Sequence, residues 1–137
     1  MLKLIRIIGV ASCAMLISVL GTLYALARFR HPSSVGVVAR AFGSLHSLVG
    51  LKLITRKKPE FTQPAIYIGN HQNNYDMVSI ASMVPENTVS VGKRSLIWIP
   101  FFGLVYWATG DILIHREKRS SAISTMNKVG EIIRERQ

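Results

Sequence analysis

Apolar positions dominate the first stretch of the chain, and between Arg6 and Arg28 no charge interrupts them. The uncharged run, Ile7 to Ala27, is 21 residues long. At about 1.5 Å of rise each, a helix of that length spans roughly the 30 Å hydrocarbon core of a bilayer. Two readings of it are open. Ala25-Leu26-Ala27 fits the small-residue site at which a signal peptide is cleaved. A run longer than a usual signal core, followed at once by Arg28 and Arg30, fits a retained membrane segment. Length and the basic flank favour the second, which divides the chain into a membrane-embedded helix at 1–31 and a domain at 32–137.

Pro32 stops that helix, and Ser33 or Ser34 stands where it can cap the next. Val37, Val38, Phe42, Leu45, Leu48 and Val49 then recur at helical spacing with Arg40 off the apolar side. This predicts an amphipathic helix, lying on a membrane or packed on a core. "LKLITRK" alternates in part and predicts a strand, ending in the loop "KKPEFTQP". "AIYIG", after Pro64, predicts a short buried strand. Asp76 to Val84 has a helical pattern ended by Pro85, and "NTVSVG" is a third strand candidate. "SLIWIPFFGLVYWATG" is apolar, aromatic and broken by Pro100, which predicts a kinked helix or a loop able to dip into a membrane interface. "DILIHR" is the fourth strand candidate. Ser120 or Ser121 can cap a last amphipathic helix through Ile123, Met126, Val129 and Ile133.

Strands alternating with helices predict an α/β fold, a parallel or mixed sheet covered by helices. The last helix runs to Gln137 with no strand after it. The expectation is therefore a partial, incomplete sheet, the N-terminal portion of a longer protein.

Charge narrows the partners. There are 17 basic and 7 acidic residues, a net charge of +10. From Met1 to Pro59 there are nine Lys and Arg and no acid at all, so this part is drawn to anionic surfaces. Basic residues that flank an apolar helix and lack interleaved aromatics point to lipid headgroups and away from nucleic acid. A single cysteine, Cys13, excludes an intrachain disulfide. Four scattered histidines, His31, His46, His71 and His115, give no metal-ligand spacing.

The polar block "IGNHQNNYDM", Ile68 to Met77, lies between two apolar runs, at a strand end and a helix start. Open α/β sheets place their ligand crevices at such junctions. A turn there can bring the Asp76 carboxylate back onto Nδ1–H of His71 and leave Nε2 free as a general base. No serine or cysteine stands nearby in a nucleophile motif, so the attacking group would be a substrate hydroxyl. Asn70, Gln72, Asn73 and Asn74 offer amide donors that could orient the pair or steady an oxyanion. A plain capping loop, with Asp76 as N-cap and the amides bonding their own turn, fits the same spacing.

The block "NHQNNYDM" followed by "VGKRSLIWIPFFGLVYWATGDILIHR", with "AFGSLHSLVGLKL" before it and the hydrophobic N-terminus, closely resembles the glycerolipid acyltransferases, in particular bacterial ones acting on 1-acylglycerol 3-phosphate. The resemblance implies transfer of a fatty acyl group from acyl-CoA or acyl carrier protein to the sn-2 hydroxyl of that lysolipid, forming phosphatidate. It implies His71 as base, Asp76 as its orienting partner, no acyl-enzyme and no cofactor. Arg116 matches the family's arginine for the acceptor phosphate, Lys93 is a second phosphate contact, and Gly110 opens the same block. His115 stands where the family usually has aspartate. The family's third block, Phe-Pro-Glu-Gly-Thr-Arg, and its fourth are missing and would lie beyond Gln137. Membrane lipid is the implied partner, with the site facing the cytoplasm at a bacterial inner membrane. The rival expectation is a catalytically incomplete, membrane-anchored protein that binds anionic lipid.

Overall fold

The computed structural model describes residues 2–54 and 65–114, and in the last stretch 123, 124, 127, 129–131 and 134. Helix α1, Leu2–Ala27, covers the whole apolar run. Its Lys3–Ala27 part is long and apolar enough to cross a membrane by length and composition. One face of it is nonetheless a protein interface. Ser18, Gly21, Thr22 and Ala25 are buried in a single stripe at helical spacing. The hydroxyls tolerate burial because each bonds a carbonyl one turn back, Ser18 to Ala14 (2.8 Å) and Thr22 to Ser18 (2.7 Å).

Those small residues let two helices approach α1. A Cβ on Gly21 would lie 3.1 Å from Val38 and 3.2 Å from Val105. Val38 belongs to α2, Ser33–Gly43, and Val105 to α4, Phe102–Thr109. The reversal between α1 and α2 is tight: His31 N–H bonds the Arg28 carbonyl, and Arg30 adopts a positive φ of 52°. The Arg30 N–H reaches across to the Ala108 carbonyl at 3.3 Å. Neither Ser33 nor Ser34 caps α2. Pro32 occupies the cap position with φ −54°, already helical, so both serines fall inside the first turn. Ser33 accepts or donates to His31 Nδ1 at 2.8 Å, and Ser34 is fully buried.

The amphipathic pattern after Val37 continues as a short 3-10 turn, Ser44–His46, with Leu45 buried. Gly43 matters here for space. A Cβ on it would come within 2.5 Å of the Ser82 Cα, just past the end of α3, Asp76–Ala81. Thus α3 packs on α2 and on the Ser44–His46 turn.

Among the described residues, two of the four expected strands form. β1, Val91–Lys93, and β2, Ile112–Ile114, pair in parallel with Val91 opposite Ile112 and Lys93 opposite Ile114. Between them a 3-10 helix, Arg94–Trp98, turns at Pro100 into α4, the kink that Pro100 predicts. Gly92 of β1 sits beneath Tyr106 and Leu96, whose side chains would be 3.0 and 3.2 Å from a Cβ there. "LKLI" and "AIYIG" are not strands. Residues 51–54 and 65–72 carry no ladder, and Ile66 and Ile68 are 80% and 93% exposed. An apolar run prefers extended backbone, but only a hydrogen-bonded neighbour makes that backbone a strand, and these two have none among the described residues. The rest of "LKLITRK" lies outside the described residues, as do Ser120, Ser121, Met126 and Ile133. The described residues of 123–134 are helical, with Val129 buried and Ile123 exposed.

The close approach at Gly43 gives a direct test. Gly43→Ala should destabilise the fold by about 1–3 kcal/mol, because the Ser82 backbone must move. Gly9 has open space around it, so Gly9→Ala should be neutral or stabilise by up to about 1 kcal/mol. Urea unfolding in mild detergent compares the two; equal stabilities would show that α3 does not depend on the gap at Gly43.

Candidate active site

The loop before α3 builds its own geometry from polar side chains. Asn73 Oδ1 accepts the Tyr75 N–H at 2.8 Å, an Asx turn that starts the reversal. The Asp76 and Met77 amides then bond the carbonyls of Asn73 and Asn74, and those of Val78 and Ser79 bond Tyr75. With those amides already satisfied, Asp76 makes no cap hydrogen bond to α3. Its carboxylate reaches backwards instead. Oδ2 accepts the Asn73 N–H at 2.8 Å, the Gln72 N–H in a short contact, and lies 3.3 Å from His71 Nδ1. A carboxylate only accepts, so Nδ1–H is the donor of this contact, and in the neutral form of such a ring the lone pair lies on Nε2.

Electrostatics follow the distances. The Asn73 N–H, then the Gln72 N–H, hold the Asp76 carboxyl below its ordinary value of 3.8; desolvation opposes them, and His71 adds a smaller lowering. The two amides therefore fix the carboxylate, and the carboxylate fixes the imidazole. The pair is open to solvent, with side-chain exposures of 57% for His71 and 24% for Asp76.

Asn70 and Gln72 are exposed on the same loop, and the contribution of Gln72 to the geometry is its backbone N–H. Lys93 lies on a different element, exposed at the C-terminal end of β1. Gly110 has a conformational role. At φ 84° it closes α4, its N–H bonded to the Trp107 carbonyl, at the N-terminal end of β2 and so at the opposite strand end from Lys93. Arg116 and His115 lie outside the described residues.

Sequence reasoning passed over Asp111. Its carboxylate accepts the Ser90 N–H at 2.7 Å, stands 2.7 Å from Ser90 Oγ and 2.8 Å from Thr109 Oγ1. Ser90 Oγ is also 3.1 Å from the Tyr106 hydroxyl. Burial pushes the Tyr106 phenol up, Ser90 opposing and the Asp111 charge adding to the rise. This polar joint pins the start of β2 to β1 and to α4. The local "TGD" turn hints at it, but Ser90 is too distant in sequence to be found by spacing.

The sequence profile of the acyltransferase family matches residues 49–137, a stretch that holds both His71 and Asp76. The chain belongs to the acyltransferase family. Among curated relatives of this acyltransferase, the 1-acyl-sn-glycerol-3-phosphate acyltransferase of Haemophilus influenzae is 57% identical over 98% of the chain and 57% of its own length. Those of Salmonella typhimurium and Escherichia coli are 47% and 45% identical, each over 94% of the chain and 54% of the relative. The chain thus spans just over half the length of these relatives. No solved structure matches it.

Titration of Asp76 tests the loop. Its folded pKa is lowered, so the stabilisation it brings is full above the unfolded carboxylate value and is lost as the pH falls through the lowered one. The Gln72 and Asn73 amide resonances of this acyltransferase should therefore titrate with a midpoint below 3.8. A midpoint at or above that value would mean the amides do not hold the carboxylate.

Proposed function

We propose that this acyltransferase carries the general-base half of an enzyme that acylates the sn-2 hydroxyl of 1-acylglycerol 3-phosphate, forming phosphatidate at a membrane. The observation that carries the reading is Asp76 Oδ2 at 3.3 Å from His71 Nδ1, with the ring exposed to an incoming acceptor. The names of its relatives support the substrate class.

The proposed reaction is a direct displacement. His71 Nε2 takes the hydroxyl proton as the oxygen attacks the thioester carbonyl of acyl-CoA or acyl carrier protein. The tetrahedral intermediate collapses with cleavage of the carbon–sulfur bond, and the imidazolium returns its proton to the departing thiolate. Asp76, held ionised, balances the transient imidazolium charge and keeps the ring in the useful tautomer. Amides of the loop, Asn70 and Gln72 among them, are the proposed donors toward the carbonyl oxygen. Lys93 and Arg116 are the proposed phosphate contacts, Arg116 by a bidentate guanidinium. The basic flank after α1, with Arg28, Arg30 and Arg40, favours a cytoplasmic side for the domain.

In a protein carrying the whole length of its relatives, His71→Ala should lower acyl transfer by about 10²–10⁴-fold while membrane retention stays unchanged. Ordinary turnover by that variant would remove His71 as the base, and lipid binding without any transfer in the parent would leave only the anionic-lipid-binding reading.

A further inference from the structure

Ile97, Trp98, Ile99, Phe101, Leu104 and Trp107 are all exposed, six large apolar side chains on eleven consecutive residues. Trp98 is 85% exposed. Phe101, Leu104 and Trp107 follow at three-residue spacing and form one outer ridge along α4. Trp98 sits at the apex where the Arg94–Trp98 turn reverses into α4. The two arms are pressed together: a Cβ on Gly103 would collide with the Ile97 carbonyl. Phe101 holds the reversal at φ 62°, a conformation a bulky side chain adopts only under constraint. The fold thus pushes an aromatic apex outward when burying it would lower its free energy in water.

Three observations identify what covers it. The ridge is continuous with α1: Val105 packs at Gly21, and the Phe29 and Trp107 rings meet edge-on at 5.7 Å. The ridge therefore meets the end of α1, whose opposite side exposes Leu20, Leu23 and Leu26. Its chemistry is that of a membrane boundary, where tryptophan is enriched. Its borders are cationic, Arg94 on one side and Arg28 and Arg30 on the other, which suits anionic headgroups.

We propose that the Ile97–Phe101 apex and the outer ridge of α4 are a second membrane-docking element, which inserts Trp98 among the acyl chains of the same anionic leaflet that receives α1. The element is separate from acyl transfer; it rests on attachment through α1 and not on the dyad.

Trp98 and Trp107 are the two tryptophans of the chain, so Trp107→Phe leaves Trp98 as sole reporter. The protein is reconstituted with phosphatidylethanolamine–phosphatidylglycerol vesicles, with or without bromine on the acyl chains. Flotation reads attachment, and Trp98 emission reads the apex. The expected result is blue-shifted emission, quenched several-fold more by bromolipid than by aqueous acrylamide. Floating protein whose Trp98 responds to acrylamide alone overturns the proposal and leaves attachment through α1 standing. Shielding from both quenchers means that protein covers the apex, and overturns it equally. Protein that does not float removes both the attachment and the proposal. If Trp107→Phe misfolds, the bromolipid quenching lost between the parent and Trp98→Phe isolates the same signal.

Discussion

The close approach of α2 and α4 to the small-residue stripe on α1 is the constraint on which the other positions depend. Gly21 leaves just enough room for Val38 and Val105, and Ser18, Thr22 and Ala25 extend the same flat face. A large side chain at Gly21 would separate both helices from α1 at once. From α2 the constraint passes on through Gly43, whose missing Cβ admits the Ser82 backbone and so sets where α3 ends. Asp76 is the first residue of α3. The position of the carboxylate is thus linked to the apolar helix by two glycine contacts in series.

What those contacts position is simple chemistry. One carboxylate oxygen collects two backbone N–H groups and faces one imidazole nitrogen. The Asx turn at Asn73 starts the reversal that follows these two amides in the chain. They also hold the Asp76 carboxyl below its ordinary value, with the Asn73 N–H the larger cause and the Gln72 N–H the next. The polar joint at Asp111 does the corresponding structural work for the sheet, where it satisfies Ser90 and fixes the start of β2.

Features of the sequence that depend on near neighbours were legible. The apolar length of α1, the kink at Pro100 and the strands containing Val91 and Ile112 are all local in origin, whereas α1 ends at Ala27, ahead of the stop expected at Pro32. So is the spacing of His71 and Asp76, though spacing alone left capping and pairing equally open. Partners remote in sequence were not legible. "AIYIG" reads as a strand by composition, yet Ile66 and Ile68 face solvent because strand status belongs to a pair and not to a segment. Asp111 and Ser90 meet across 21 positions, and Gly43 and Ser82 across a longer separation still. The cap of α2 was misplaced because Pro32 enters with helical φ and makes the serines redundant.

The double duty of α1 has a consequence for where the site can be. Leu16, Leu20, Leu23 and Leu26 are exposed on one side of the helix, while Ser18, Gly21, Thr22 and Ala25 are covered on the other. A helix joined to its domain by a flexible tether could enter lipid and leave the domain in water. Here α2 and α4 lie against the helix itself, and Arg30 is bonded to Ala108. Lipid that wets the leucine face therefore lies within one helix diameter, about 10 Å, of protein that carries α3.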